Sequence, residues 1–170
     1  MVAKMSDYVS DVLLRARVGS APFVPPGDRT TFPGIYLTTA LQLVGTHKDI
    51  KSLRSRLAKN HFDYSSWESH HVLEEHDLDR LGIRILFPGR EMQFCVLIPY
   101  SAHQKRVNSI LRSENPVKDQ ANATELLRGY CEAYELIDNY TGAGANKICG
   151  ELVSIVKALF AVAGLPDKTI

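Results

Sequence analysis

Cysteine, long apolar runs and an excess of either charge are all scarce in this 170-residue sequence. The three cysteines, Cys95, Cys131 and Cys149, are widely spaced, which excludes a complete disulfide framework and a CxxC zinc site. No run of 18 apolar residues occurs, so no membrane span is expected. The net charge is +1. Proteins that bind nucleic acid mainly through phosphates usually carry a clear basic excess, so any such surface here must be local.

The composition that remains is typical of one folded domain. Hydrophobic residues make up 45% of the chain and charged residues 23%, which is too apolar for disorder. Residues 20–34 (SAPFVPPGDRTTFPG) are rich in proline and glycine, which indicates irregular chain or a linker. We therefore expect residues 1–34 to form an N-terminal extension or linker and residues 35–170 to form the domain.

The pattern of apolar residues predicts an α+β fold that is mostly helical, with a small β element in the middle. Two extended runs are predicted at IRILF and MQFCVLIPY, separated by the turn PGRE, and the second run is apolar enough for a buried strand. Ser101 lies three residues before Gln104, which predicts a capping box and a helix that begins there. Further helices are predicted over residues 35–45, 49–62, 123–140 and 146–163.

Residues 69–74 (SHHVLE) carry the pattern that most directly suggests chemistry, together with His103. Adjacent residues on an extended chain point to opposite sides, so His70 and His71 suit different roles, one as a metal ligand and the other as a base. His103 lies in the first turn of its predicted helix and shares a face with residues four and seven positions later. Histidines from a strand and a helix can converge on one divalent ion, which suits phosphodiester hydrolysis.

The same residue types are compatible with less specific explanations. A histidine on an apolar helix face is often a hydrogen-bonded core residue, and adjacent histidines arise by chance. A structural zinc site built from the same rings is a further alternative, in which metal binding would be coupled to folding. The basic residues of the predicted helices are equally compatible with an ordinary solvated surface.

Two stretches of the sequence resemble a known nuclease family. WESHHVLEEHDLDRLGI is similar to the signature of the HNH/endonuclease VII (His-Me finger) nucleases found in bacterial polymorphic toxins, here in an SHH-type form. VLIPYSAHQKRVNSILR resembles the second half of the same module, and ELLRGYCEAYELIDNY resembles the helical tail of such toxins. The resemblance covers about residues 60–160 and implies a ββα-metal core embedded among helices.

The resemblance also implies roles for individual residues. His71 would be the general base, and His70 and His103 would bind one divalent metal ion, which could be Mg²⁺, Zn²⁺, Mn²⁺ or Ni²⁺. Glu74 would assist catalysis as a ligand or as a carboxylate beside the ligands. Lys105, Arg106 and Arg112 lie on the same helix as His103 and would contact nucleic-acid phosphates.

The sequence departs from the family pattern at two places. Many relatives carry an asparagine in the loop before the helix, where it orients the base, and residues 98–101 (IPYS) contain none. Many also carry a second helix histidine four residues after the first, where this chain has Val107. Asn108 follows it and, at α-helical spacing, would point elsewhere.

Taken together, these patterns predict a metal-dependent endonuclease, with DNA a better match than RNA as substrate. The resemblance implies a toxin or effector domain that is secreted or delivered by a bacterial secretion system and acts in the cytoplasm of the target cell. It further implies a cognate immunity protein, which we expect to be acidic if it covers a nucleic-acid site. The alternative is a non-catalytic helical interaction module, or a degenerate nuclease fold that binds a partner protein.

Overall fold

The computed structural model describes residues 6–59, 67–112, 117–138 and 145–168. It has a mixed α+β architecture, 53% helical and 16% strand, built around one small antiparallel sheet. The predicted α+β class is confirmed at this level. None of the helices in these ranges is both long and apolar enough to cross a membrane.

Five strands form the sheet in the order β1-β2-β3-β5-β4, with β4 at one edge. Neighbouring strands are antiparallel throughout. In the register of β4 and β5, His70 lies opposite Val96 and His71 lies opposite Cys95. The strands are β1 (Ser20–Pro22), β2 (Tyr36–Thr38), β3 (Leu43–Thr46), β4 (Trp67–His71) and β5 (Phe94–Pro99).

Helices cover both faces of the sheet. Two 3₁₀ turns, Arg84–Leu86 and Arg90–Met92, lie between β4 and β5, and a π-helical turn, His103–Val107, joins α4 to α5. We call the continuous helical segment 100–112 the site helix. The α-helices are α1 (Ser6–Arg15), α2 (His47–Lys59), α3 (Glu75–Arg80), α4 (Tyr100–Ala102), α5 (Asn108–Arg112), α6 (Ala123–Asp138) and α7 (Ala145–Val162).

Two apolar clusters hold these layers together, one on each face of the sheet. The larger cluster joins the sheet to α1, the site helix, α6 and α7, and the smaller one joins it to α2. Strand β5 contributes side chains to both clusters, because successive side chains of a strand alternate between the faces of the sheet. Phe94, Val96 and Ile98 enter the larger cluster, whereas Cys95 and Leu97 enter the smaller one.

The described part of residues 1–34 packs onto the rest of the chain. Val9, Val12 and Leu13 of α1 are buried in the larger cluster. Strand β1 extends the sheet by pairing with β2. The proline- and glycine-rich stretch therefore connects elements that share one core and one sheet.

Two of the predicted helix and strand assignments are wrong. Residues 35–45 form the β2–β3 hairpin rather than a helix, since a short apolar run does not distinguish the two. Gly45 lies in β3 rather than at a helix end. A Cβ there would lie 2.7 Å from the Ile35 side chain, so glycine permits a close approach. Residues 83–87 contain a 3₁₀ turn rather than a strand, and Ile85 on that turn is 91% exposed.

The second predicted extended run and the later helices are confirmed. Strand β5 is buried, and α6 and α7 lie within about two residues of their predicted bounds. Helix α2 confirms the prediction over residues 49–59, with the predicted stripe of Ile50, Leu53 and Leu57 buried. Residues 60–62 of that prediction lie outside the described residues. The predicted Ser101 capping box is wrong, because the helix begins at Tyr100 after Pro99, and no side-chain cap bond is made there.

Candidate metal centre and active site

Strand β4 carries the paired histidines to opposite faces of the sheet. The His70 side enters the layer that holds α6 and the site helix, and the ring is 3% exposed. The His71 side faces the layer that holds α2 and is less buried. Both residues nonetheless line one cleft of about 540 Å³ beside the edge strand. Alternation along β4 therefore gives this cleft two imidazoles in different surroundings.

The His70 ring lies against the ring of His103 and below the hydroxyl of Tyr134. The His70 and His103 ring centroids are 5.1 Å apart at an interplanar angle of 62°. His70 Nε2 is 3.0 Å from Tyr134 Oη. Burial, reinforced by the neighbouring His103 and His71, holds the pKa of His70 well below its usual value. The ring is therefore neutral at neutral pH, which is the form that binds metal ions.

His103 is oriented by a carboxylate from β4. Its Nδ1 lies 2.5 Å from Glu68 Oε2, and the side-chain amide of Gln104 donates to the same oxygen at 3.0 Å. Burial raises the pKa of Glu68, but the hydrogen bonds from His103 and Gln104 outweigh it and leave the pKa below its usual value. Glu68 lies two residues before His70, so both project from the same face of β4.

The His71 ring has a different set of neighbours. It stacks on the ring of His47, the first residue of α2, with centroids 4.5 Å apart and an interplanar angle of 27°. Its Nε2 donates to the backbone carbonyl of Arg90 at 3.4 Å. Burial is the main cause of the lowered pKa of His71. The neutral ring with its proton on Nε2 leaves a lone pair on Nδ1, as a base requires.

The structure places Glu74 in the same cleft, but its carboxylate contacts a histidine of α3 rather than His70, His71 or His103. Its Oε2 lies 3.3 Å from Nδ1 of His76, whose Nε2 lies 3.1 Å from Asp77 Oδ1. Its backbone N–H donates to the hydroxyl of Tyr130 at 2.8 Å. Burial raises the pKa of the Glu74 carboxyl. Its part in catalysis stays a prediction.

The π-helical turn changes what the site helix presents to the cleft. In this turn the backbone N–H of Asn108 donates to the carbonyl of His103, five residues earlier. Asn108 lines the cleft, where its Nδ2 donates to Gln104 Oε1 at 3.0 Å. The expectation that Asn108 points elsewhere, which assumed α-helical spacing, is wrong. Val107 is instead buried in the larger cluster.

Of the predicted phosphate-binding residues, Arg112 lines the cleft. The side chains of Lys105 and Arg106 lie outside the described part of the structure. Arg90 also lines the cleft, which therefore carries at least two exposed arginines. Arg84, by contrast, is engaged by Glu75 and Asp79, at 3.2 Å in each case.

The separation of the His70 and His103 rings is compatible with a shared divalent cation. A zinc-bound imidazole nitrogen is about 2.0–2.1 Å from the ion, which puts the ring centroid roughly 3.2 Å away. Two such rings at a tetrahedral angle have centroids about 5.2 Å apart. The observed separation is 5.1 Å. Two protein ligands leave further coordination positions for water and for substrate oxygens.

Two other groups of ligand-type side chains are close together among the described residues: His47, His71 and Cys95, and Glu74, His76 and Asp77. The first is poorly arranged for joint ligation, since stacked rings direct their in-plane lone pairs side by side. In addition, burial raises the pKa of the Cys95 thiol to about 12. In the second group, each nitrogen of His76 already contacts a carboxylate.

Four residues around the site were not identified from the sequence: Glu68, His47, Tyr130 and Tyr134. Glu68 had a usable signal, because it lies two positions before His70 on a predicted extended segment. The signal for the two tyrosines is weaker: both lie on the predicted apolar face of a helix, where a buried hydroxyl usually requires a hydrogen-bond partner. No local signal connects His47 to a strand 20 residues later in the chain.

Comparison with protein-family models, with curated proteins and with solved structures finds no match to this chain. Its function is therefore inferred from its own residues and from the geometry of this cleft.

Proposed function

We propose that this chain is an endonuclease that requires a divalent cation and hydrolyses phosphodiester bonds, with DNA as its first expected substrate. One observation carries the proposal: two imidazoles, His70 and His103, spaced for one cation, share a cleft with a third, differently oriented imidazole, His71. The strand–strand–helix order of β4, β5 and the site helix supports a ββα-metal core.

His71 supplies the base in this proposal. The Arg90 carbonyl accepts the Nε2 proton of the ring, so Nδ1 is the atom that takes a proton from the attacking water. A backbone carbonyl thus does the orienting that the loop asparagine does in many nucleases of the resembled family. The stack on His47 restricts rotation of the ring about its side-chain bonds.

His70 and His103 would hold the cation. When bound, a divalent cation stabilises the negative charge that develops on the phosphate and on the leaving oxygen. Arg90 and Arg112, which both line the cleft, would contact flanking phosphates. These local cations account for a nucleic-acid-binding surface on a chain whose net charge is only +1.

The resemblance to polymorphic toxin nucleases adds a biological setting to the proposal. In that setting the chain is an effector domain delivered into a target cell, and the producing cell makes an immunity protein against it. An acidic immunity protein that covers the cleft would be complementary to Arg90 and Arg112.

The test is cleavage by the purified chain. Supercoiled plasmid and a mixed RNA are incubated separately with the protein and Mg²⁺, Mn²⁺, Zn²⁺ or Ni²⁺. We expect nicked and linear plasmid, loss of cleavage in EDTA, and loss of cleavage in His103→Ala. Arg128→Ala is the control substitution, because Arg128 is an exposed cation on α6 whose partner is Glu132.

Four outcomes are informative. Cleavage of RNA alone would change the substrate but keep the chemistry. Cleavage that persists in EDTA would overturn the role of the cation. A folded chain that binds a cation and cleaves neither polymer would favour the interaction module, and a melting temperature that falls sharply in EDTA would favour a structural metal site.

A further inference from the structure

The hydroxyl of Tyr134 on α6 has a determined direction of hydrogen bonding. It is in hydrogen-bond contact with the backbone carbonyl oxygen of Val72, which can accept a proton but carries none to donate. The tyrosine's one proton is therefore directed to Val72. Toward His70 the same oxygen can act only as an acceptor, so Nε2 of His70, at 3.0 Å, must be the protonated nitrogen. The lone pair of the neutral His70 ring is then on Nδ1.

The same reasoning applies to His103, with a carboxylate in place of the tyrosine. Glu68 Oε2 also accepts a hydrogen bond from Gln104, as expected for an ionised carboxylate. It can therefore only accept from His103 Nδ1, at 2.5 Å. Nδ1 of His103 therefore carries a proton, which leaves Nε2 as the nitrogen available to a cation.

We propose that Tyr134 and Glu68 are positioning residues that select the metal-binding nitrogens, so that His70 ligates through Nδ1 and His103 through Nε2. This inference rests on the proposed function for the identity of the ligands. Imidazole ligands commonly donate their second N–H to a neighbouring acceptor, which fixes the ring orientation. Here the acceptors come from different elements, α6 and β4, so the cation site depends on how α6 packs against the sheet.

Tyr130 offers a matched control within the same helix. It lies one helical turn before Tyr134, the two rings stack with centroids 6.0 Å apart, and both are fully buried. Its hydroxyl also makes two hydrogen bonds, from the Glu74 backbone N–H and to Asp77 Oδ2, but neither involves His70. Tyr130→Phe and Tyr134→Phe therefore remove the same atom from similar surroundings with different consequences for His70.

The first test reads the ring tautomers directly. The full chain, without metal, is labelled with ¹⁵N-histidine, and two-bond ¹H–¹⁵N correlation spectra are recorded near neutral pH, with signals assigned by single His→Gln variants. We expect Nε2–H for His70 and Nδ1–H for His103 in the wild type. In Tyr134→Phe we expect His70 to become a mixture of tautomers, whereas Tyr130→Phe leaves it unchanged. A wild-type His70 protonated on Nδ1 would overturn the inference without any variant.

The second test is cation affinity, measured calorimetrically with Mn²⁺ and with Zn²⁺. Loss of a partner to a ligand's second nitrogen typically weakens metal binding about 10–100-fold. We expect that loss in Tyr134→Phe and a much smaller one in Tyr130→Phe. Equal affinities for the two variants would overturn the inference. If Tyr134→Phe does not fold, Glu68→Gln provides the same readout at His103, where unchanged affinity would overturn the Glu68 half.

Failure of the proposed function gives a different result. If the wild-type chain shows the expected tautomers but binds no divalent cation, both the nuclease proposal and the metal-selecting role are wrong. If the chain binds the cation and cleaves DNA, but Tyr134→Phe leaves its cation affinity unchanged, only the positioning role is wrong.

Discussion

The two faces of strand β4 hold their histidines in contrasting ways. His70 is enclosed: its ring meets His103, its Nε2 donates to Tyr134, and that hydroxyl is itself bonded to the backbone. His71 is half-buried, stacks on one ring and makes one long hydrogen bond to a carbonyl. A metal ligand benefits from a fixed ring, whereas a base must take up and release a proton. The contrast therefore matches the division of roles proposed for the pair.

The apolar packing is also more extensive behind the His70 face than behind the His71 face. The His70 face is backed by the larger apolar cluster, which includes α6 and its buried tyrosines. The His71 face is backed by the smaller cluster under α2, which contains six buried residues in the described part of the chain. Two residues that are neighbours in the sequence thus lie in differently packed environments, and four substitutions test that difference.

The largest effect is expected from His71→Ala. Loss of a general base lowers the cleavage rate about 10²–10⁴-fold. Because His71 is on the other face from the ligand pair, the Mn²⁺ dissociation constant should stay near the wild-type value. Single-turnover cleavage and calorimetry on the same preparation measure the two quantities. If His71→Ala abolished cation binding and left a slow rate intact, the roles of the two faces would be reversed.

Leu53→Ala tests whether the α2 face is a packed core. Leu53 is fully buried in the smaller cluster, and truncation of such a leucine typically costs about 2–5 kcal/mol in the free energy of unfolding. Urea denaturation followed by circular dichroism measures the loss. Leu136→Ala is the control, since Leu136 on α6 is 48% exposed and should change stability by less than about 0.5 kcal/mol. Equal losses would show that the smaller cluster adds little to the fold.

Tyr130→Phe tests the network on the His70 side. The substitution leaves a buried Asp77 oxygen and the Glu74 backbone N–H without the hydroxyl that joins them. An unsatisfied buried polar group costs about 1–3 kcal/mol. Chemical denaturation should show a loss in that range for Tyr130→Phe and almost none for Tyr100→Phe, whose side chain is 51% exposed. A neutral Tyr130→Phe would mean that the network adds no net stability.

The smallest effect is expected from Arg112→Ala at the rim of the cleft. Removing one phosphate contact should weaken DNA binding similarly for all sequences and reduce the slope of log affinity against log salt by about 1. Fluorescence anisotropy over a series of salt concentrations measures both. Arg128→Ala serves again as the exposed-cation control, and an identical response from the two variants would place the binding surface elsewhere.

Much of the fold could be anticipated from patterns that act over a few residues. The buried strand β5 and helices α2, α6 and α7 follow from periodicity, because one face or both must be apolar to be buried. The helix predicted over residues 35–45 is wrong because a short apolar run is compatible with a helix and with a strand. The 3₁₀ turn at Ile85 is not predicted by the apolar pattern, because apolar residues suggest burial and Ile85 and Leu86 are exposed here.

For the candidate site, the sequence by itself determined that His70 and His71 point to opposite sides, and it placed His103 on a helix after a buried strand. These are consequences of backbone geometry, which acts between neighbours. The tertiary structure alone decided that His103 meets His70, that His47 stacks on His71, that the π turn brings Asn108 into the cleft, and that α6 delivers Tyr134. Such contacts join residues far apart in the chain, and they are set by how whole helices pack on the sheet rather than by any local pattern.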